Sequence, residues 1–309
     1  RKPKREAEAR TKQILEQFYQ KTQGEITRSF LSHMIMRLES EQSVKEYLDI
    51  MDHRKTEQLI DTLDKVEQNR KECYIREFSI EHFHDSKVFE TLIPKICKIF
   101  REENEELTGF ENEEILAEYQ IYKTPGYVYM KGNVQIYSAG KQAADISAFP
   151  EGIAVAVGSE EDVPDICPDQ TIDKVFTIEN LTSFYRFKQE HSLVIYLGGY
   201  HDRSRRNLLM QIYQKLPDAQ YYHFGDLDAG GFYILEHLKR KTGIPFQMFQ
   251  MDIETLKKYE DYAKPLTEND KKRLMQLEKM ELPDEERKLI TYMLQKGIKL
   301  EQECISESQ

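Results

Sequence analysis

The sequence predicts an α/β protein of two domains, with a mainly helical domain over residues 1–105 and a mostly parallel sheet in a second domain over residues 106–309. Three observations predict this class. A chain of 309 residues is long enough for two hydrophobic cores. The first hundred residues carry apolar side chains at helical spacing. From residue 174 onward, strand-like and helix-like segments alternate, which is typical of a parallel sheet covered on both faces.

The N-terminal domain is predicted to consist of helices and one short strand. Apolar residues fall on one stripe in "EARTKQILEQFYQKT", and "SVKEYLDIM" and "TEQLIDTLDKVEQNR" predict two more amphipathic helices. A strand-like piece from Cys73 to Ile80 then precedes a helix that includes Val88 and Phe89. Several helices with one short strand are the parts of a winged-helix-type domain, so this domain is predicted to be winged-helix-like.

The acidic stretch "REENEELTGFENEE" marks the predicted boundary between the domains. After it, "YKTPGYVYMKGNVQIYS" predicts a hairpin around Gly132 and Asn133, and "EGIAVAVGS" predicts another strand. The alternation then begins with the predicted strands "KVFTIEN", "SLVIYLGG", "AQYYHFGD" and "PFQMFQMD", and the segments between them predict helices. The last fifty residues predict charged, amphipathic helices.

Composition excludes several classes of function. A formal net charge of −11 argues against a large, sequence-independent electrostatic grip on DNA. There is no apolar run of the roughly 18 residues that a membrane span needs, and no signal peptide. Four scattered cysteines suggest neither disulfides nor a zinc site, so we expect a cytoplasmic protein. Because the sequence begins with Arg1, a missing N-terminal part has to be considered.

Three carboxylates fall at the ends of predicted strands. Glu179 closes "VFTIEN", whereas Asp226 and Asp228 close "YYHFGDLD". Ligands of open α/β sheets bind beyond the carboxyl ends of the strands, and two neighbouring carboxylates repel unless a cation lies between them. Magnesium takes such oxygen ligands together with water and phosphate. The alternative is that "GDLDAGG" is an Asx-turn and a helix cap, but the third acid, Glu179, favours a metal site.

The order of these elements resembles a Toprim domain, the Rossmann-like, metal-dependent module of topoisomerases, bacterial primases and some nucleases. "FTIENLTSF", "LVIYLGGY" and "HFGDLDAGGF" further resemble the JetD family, the nuclease subunits of bacterial Wadjet anti-plasmid systems. "REFSIEHFHDSK", "ILAEYQIYKTPGYVYMKG" and "LEQECI" also fit that family, and the resemblance covers roughly residues 70–305. One departure is His84, which stands where the family pattern suggests glycine, and it puts that local turn in doubt.

The resemblance implies a metal-dependent DNA endonuclease. Glu179 matches the Toprim glutamate, and Asp226 and Asp228 match its paired aspartates. It implies Mg²⁺ or Mn²⁺ bound mainly by the aspartates, with Glu179 as ligand of a second ion or as general acid/base. It also implies a CAP-like DNA-binding N-terminal domain, double-stranded plasmid DNA as substrate, an SMC-like condensin-type motor complex as partner, and a homodimer.

Two other functions stay open. The JetD family resembles the topoisomerase VI A subunit, whose winged-helix-like domain carries a nucleophilic tyrosine, and Tyr74 is the candidate here, although we expect it to be a packing residue. A non-catalytic subunit that scaffolds DNA is the second alternative. Candidate DNA contacts are Lys87 and three arginines, which could equally be solvated surface residues: Arg203, Arg205 and Arg206.

Overall fold

The structure, a computed structural model, describes residues 2–123, 126–157, 164–198, 201 and 203–305, without the side chains of residues 2, 3, 126, 157, 203 and 204. The chain divides into two compact units, Arg1–Thr124 and Pro125–Gln309. Residues 105–122, which the sequence placed at or beyond the domain boundary, pack with the N-terminal unit through contacts to its last long helix and its short strand.

The N-terminal unit is mainly helical, as the apolar spacing predicts. Its two short strands, which follow the third and sixth helices, pair in parallel. Its elements in chain order are α1 (Lys2–Lys21), α2 (Glu25–Glu39), α3 (His53–Gln68), β1 (Cys73–Tyr74), α4 (Ile75–Phe83), α5 (Val88–Glu103), α6 (Asn112–Glu118) and β2 (Ile121–Tyr122).

Two local predictions in this unit are wrong. The segment "SVKEYLDIM" forms turns instead of a helix, because the carboxylate of Asp49 accepts hydrogen bonds from the amides of Met51 and Asp52 and so ends the helical turn. The strand predicted from Cys73 to Ile80 stops after Tyr74. Helix α4 begins at the next residue, with Glu77 accepting a hydrogen bond from the Tyr74 amide.

The C-terminal unit is mixed α/β with parallel strands, which confirms the predicted class. Its elements from residue 126 to residue 248 are β3 (Gly126–Lys131), β4 (Val134–Ser138), β5 (Lys141–Asp145), β6 (Ile153–Val157), β7 (Asp165–Pro168), β8 (Lys174–Ile178), α7 (Leu181–Arg186), β9 (Ser192–Tyr196), α8 (Arg203–Lys215), β10 (Gln220–Phe224), α9 (Ala229–Thr242) and β11 (Gln247–Met248). The main sheet of the described residues has the order β11-β10-β8-β9-β3-β6. Strands β11, β10, β8 and β9 are parallel, and β3 is antiparallel to both of its neighbours.

Apolar side chains of the central strands alternate between two cores, since successive residues of a strand point to opposite faces. Val175 and Tyr221 lie in the core that includes α8, whereas Phe176 and Phe224 lie in the core that includes α7 and the C-terminal helices. The sheet is therefore buried on both faces, which is what a parallel sheet requires.

The hairpin predicted around Gly132 is wrong. Strands β3 and β4 flank this turn, but they belong to different sheets: β3 pairs with β6 and β9, and β4 pairs with β5 and β7. At Gly132 the chain leaves the main sheet with φ +142°, and a Cβ there would lie 2.6 Å from the carbonyl oxygen of Ser192. A turn that passes this close to β9 separates the two strands instead of joining them.

The chain ends in α10 (Ile253–Lys258), β12 (Lys264–Pro265), α11 (Glu268–Leu277), α12 (Asp284–Lys296) and β13 (Ile298–Lys299). Strands β12 and β13 are antiparallel partners. The helices agree with the amphipathic pattern of the last fifty residues. In the part of the chain that the structure describes, no helix has the length and apolar character needed to cross a membrane.

Candidate functional site

Strands β8 and β10 are neighbours in the sheet and bring the first two predicted site residues together. Their register pairs Ile178 with Phe224, the last residue of each strand. Glu179 follows immediately, and its amide donates to the Phe224 carbonyl oxygen over 3.0 Å. The loops that leave the two strands therefore start side by side at the carboxyl edge of the sheet, where ligands of open α/β sheets bind.

The Glu179 side chain points across to the loop after β10. Its Oε2 accepts a hydrogen bond from the amide of Asp226 at 3.3 Å and lies 4.0 Å from Nε2 of His223. Only 15% of the Glu179 side chain is exposed. Glu179 and Asp226 are thus in direct contact, as expected for acids that follow the carboxyl ends of two parallel strands.

Two glycines make room for this arrangement. A Cβ on Gly225 would lie 2.6 Å from Oε2 of Glu179 and 2.8 Å from Nε2 of His223. A Cβ on Gly231 would lie 2.2 Å from the backbone oxygen of Asp226. The loop after β10 can therefore lie against Glu179, and α9 against that loop, only because these positions have no side chain.

Asp228 caps helix α9. Its Oδ1 accepts a hydrogen bond from the amide of Gly231 at 2.9 Å, which is the capping role that the sequence left open as the alternative. Asp228 is also close enough to raise the pKa of Asp226. Capping fixes the side chain at the start of the helix and does not prevent a second role for its carboxylate.

Burial raises the pKa of Asp226 to about 6. Asp228, Glu301 and Glu303 add like charge and raise it further, whereas a hydrogen bond from the amide of Gln302 lowers it. A half-buried carboxylate among other carboxylates is a place where a positive charge is stabilising. Perturbed acids of this kind are common at functional sites.

Residues from the C-terminal end of the chain contact this site, and none of them is among the site residues predicted from the sequence. Gln302 is fully buried and donates from its backbone amide to Oδ1 of Asp226 over 2.7 Å. Its neighbour Glu303 accepts a hydrogen bond from the side chain of Asn180. The family-like piece "LEQECI" was the signal that could have identified them.

Three histidines of this unit are buried, and one of them, His223, lies beside Glu179. His223 is fully buried, its Nδ1 lies 3.0 Å from Oγ1 of Thr177, and burial lowers its pKa to about 3, so its ring is neutral. His201 and His237 are also buried, with 3.3 Å between Nε2 of His201 and Nδ1 of His237. Burial and the neighbouring histidine hold the pKa of His201 well below its usual range. The neutral His223 ring therefore adds no charge beside Glu179.

The candidate DNA contacts lie in different surroundings. Arg206 is only 7% exposed, and its guanidinium donates to the backbone oxygen of His201 over 2.7 Å. Arg205 is half-buried and donates to the backbone oxygen of Tyr127 over 3.3 Å. Arg203 begins α8, with its side chain outside the described residues. Lys87 is exposed just before α5 in the N-terminal unit, and Tyr74 is half-buried at the start of α4.

The carboxylate oxygens of Asp226 and Asp228 are suitable ligands for a hard cation whose coordination shell is completed by water and phosphate oxygens. Asp226 and Asp228 each use one oxygen for a backbone amide, and no hydrogen bond from the described residues reaches the other oxygen of either. Among the described residues, no group of three or more His, Cys, Asp or Glu side chains is placed so that it could hold a metal ion. Carboxylate oxygens are ligands that magnesium takes, usually one or two from the protein with water and phosphate oxygens completing the shell.

Two comparisons with known proteins agree with each other. Residues 161–309 match the family model described as "Wadjet protein JetD, C-terminal". The chain is also 28% identical over 263 residues to the Wadjet protein JetD of Bacillus cereus (strain Q1), a match that covers 84% of this chain and 63% of that relative. The chain thus spans less than two thirds of the length of the curated relative. By these matches, residues 161–309 are similar to the C-terminal part of the JetD family, and most of the chain is similar to a Wadjet protein JetD.

Proposed function

We propose that the protein is a divalent-metal-dependent DNA endonuclease, the nuclease subunit of a Wadjet-type anti-plasmid system, and that its C-terminal unit is a Toprim domain. The observation that supports this best is the contact of Glu179 with Asp226 at the ends of two adjacent parallel strands. The similarity to Wadjet protein JetD supports a Wadjet complex as the setting, and the resemblance of the motifs to that family implies DNA as the substrate.

The proposed chemistry assigns a role to each carboxylate. Asp226 and Asp228 would hold Mg²⁺ or Mn²⁺, which neutralises the negative charge that builds on phosphate oxygens during in-line attack by water. Glu179 would bind a second ion or act as general acid/base. The hydrogen bond from the Asp226 amide orients the Glu179 carboxylate before any substrate arrives.

DNA capture would involve both units and a partner. We propose a winged-helix-like, CAP-like DNA-binding role for the N-terminal unit, in which Lys87 is exposed and able to contact a phosphate. Because the net charge is −11, intrinsic affinity for DNA would be modest, and an SMC-like motor complex would deliver the plasmid. A homodimer acting in the cytoplasm completes the proposal.

A cleavage assay tests the proposal. Supercoiled and linear plasmid are incubated with the full chain in Mg²⁺, in Mn²⁺ and in EDTA. We expect metal-dependent cleavage by the wild type and by the matched surface control Asp218→Ala, since Asp218 is exposed. We expect Glu179→Ala and Asp226→Ala to lose at least 100-fold in rate, because each removes a group that acts on the reacting phosphate.

The same assay distinguishes the alternatives. Intact DNA binding without cleavage, even with the SMC-like partners present, would support a scaffold that does not cut DNA. A covalent protein–DNA adduct that disappears in Tyr74→Phe would support topoisomerase-like transesterification. Cleavage that survives both carboxylate substitutions would contradict a catalytic site at this edge of the sheet.

A further inference from the structure

The C-terminal end of the chain crosses the carboxyl edge of the main sheet. Leu300 and Leu227 exchange two backbone hydrogen bonds of 2.9 and 3.1 Å, forming an antiparallel bridge beside Asp226 and Asp228. A short helical turn, Gln302–Cys304, follows. Residues that are distant in sequence therefore pack directly against the loop that carries the two aspartates.

Gln302 is the residue of this segment that contacts both carboxylate-bearing loops. Its side chain is fully buried. Toward the loop after β10, its Nε2 donates to the Phe224 carbonyl oxygen over 2.9 Å, and its backbone amide donates to Oδ1 of Asp226 over 2.7 Å. Toward the loop after β8, its Oε1 accepts from the amide of Asn180 over 2.8 Å.

The two side-chain bonds need an amide of this length. One bond requires a donor and the other an acceptor, and a glutamine side chain supplies both. An ionised glutamate has no donor, methionine has neither group in useful strength, and asparagine is one carbon shorter. Removing this side-chain amide would take the acceptor from the Asn180 amide and would leave the Phe224 carbonyl oxygen with the Glu179 amide as its donor.

We propose that Gln302 is a positioning residue, which links the loops after β8 and β10 and fixes the Asp226 carboxylate in the orientation that binds a divalent cation. The inference rests on the proposed function, since it concerns the same metal site. The backbone amide of Gln302 directs one oxygen of Asp226 toward the C-terminal segment, so the carboxylate cannot rotate freely. The side chain holds that amide in place by anchoring it to both strands.

Mn²⁺ binding to the full chain, followed by calorimetry and by the electron paramagnetic resonance spectrum of Mn²⁺, tests the inference without relying on cleavage. We expect Gln302→Met, which keeps the volume and removes both side-chain hydrogen bonds, to weaken Mn²⁺ binding at least tenfold. Gln302→Asn serves as a second variant that is polar but too short, and we expect a loss of similar size. High Mn²⁺ concentration should restore cleavage by these variants, and their melting temperatures measured without metal show separately whether they are folded.

A stability control separates positioning from packing. Leu282→Ala removes apolar contacts from the same core at a position between α11 and α12, outside the sequence of both carboxylate-bearing loops. It should lower the melting temperature while Mn²⁺ affinity stays within about twofold of wild type. Wild-type affinity in both Gln302 variants would overturn the inference and leave the metal site standing. If the wild type does not bind Mn²⁺, or if Asp226→Ala binds it as well as the wild type does, the metal site and the inference are both overturned.

Discussion

Glu179 and Asp226, 47 positions apart in the chain, are joined by a hydrogen bond from the Asp226 amide to Oε2 of Glu179. The bond exists because β8 and β10 are adjacent and in register, so that the loops after them begin at the same level. One carboxylate is thereby oriented by the backbone of the residue that carries the other. Changes to either loop should therefore affect both acids together.

Gly225→Ala should displace Glu179 without unfolding the protein. The added Cβ would meet Oε2 of Glu179 at 2.6 Å and Nε2 of His223 at 2.8 Å, and the glutamate is the end of a flexible side chain that can move. We expect Mn²⁺ affinity, measured by calorimetry, to fall about tenfold, or about 1.4 kcal/mol. A double-mutant cycle provides the control: with Glu179→Ala in place, adding Gly225→Ala should cause a smaller loss, since only the contact with His223 remains. Equal losses in both backgrounds would contradict this account.

Gly231→Ala should destabilise the fold instead. Here the added Cβ would lie 2.2 Å from the backbone oxygen of Asp226, and backbone cannot move aside as a side chain can. We expect a loss of about 2–4 kcal/mol in the free energy of unfolding, followed by urea denaturation. Gly230→Ala is the matched control in the same helix, since the three atoms nearest its Cβ all belong to the Asp228 carboxylate, with Oδ1 at 3.1 Å. Similar stability of the two variants would show that α9 can shift away from the loop.

The sequence predicted the strands of the C-terminal unit because their apolar runs and bounding turns are local signals. The alternation from β8 to β11 was sufficient to place Glu179 and Asp226 at strand ends. The order of strands is a property of the folded sheet, and no local signal determines that β8 lies beside β10. The predicted hairpin at Gly132 was wrong for the same reason, since neighbours in sequence were assumed to be neighbours in the sheet.

Gln302 could not be predicted from spacing, because 76 positions separate it from Asp226 and its bonds go mainly to backbone atoms. Such contacts depend on where the C-terminal segment packs, and this is decided by the apolar cores. Arg206 illustrates the converse: a basic run predicted surface contacts, yet this side chain is buried against the His201 carbonyl. A charged residue in the sequence can therefore be buried in the fold when a backbone oxygen accepts its hydrogen bond, and the sequence alone does not show this.

In the N-terminal unit, Glu67→Gln should loosen the start of α2. The buried Glu67 carboxylate accepts hydrogen bonds of 2.8 Å from the amides of Ile26 and Thr27 and one of 2.7 Å from the Thr27 hydroxyl. An amide in its place would turn a donor toward these donors and remove a negative charge from the helix N-terminus, at about 1–3 kcal/mol.

Hydrogen exchange measures this effect locally. Amides of the first turn of α2 should exchange at least tenfold faster in Glu67→Gln than in wild type. Glu57→Gln changes an exposed residue of the same helix, α3, and should leave exchange in α2 unaltered. Unchanged protection in Glu67→Gln would mean that packing, not the carboxylate, holds the start of the helix.

Asp226→Asn should stabilise the metal-free protein, by an amount that depends on pH. Burial raises the pKa of Asp226 from 3.8 to about 6, so the folded state binds this proton more tightly than the unfolded state does. Ionisation therefore disfavours folding: its cost is fully present above pH 6, declines as the pH falls from 6 to 3.8, and vanishes below. A pKa raised this far corresponds to about 3 kcal/mol at neutral pH.

Urea denaturation in EDTA at pH 7.5 and pH 4 should show Asp226→Asn more stable than wild type by a margin that shrinks at the lower pH. Since Mn²⁺ would offset the same charge, adding it at pH 7.5 should stabilise the wild type and not the variant. A stability difference that does not change with pH would mean that burial does not raise the pKa of Asp226.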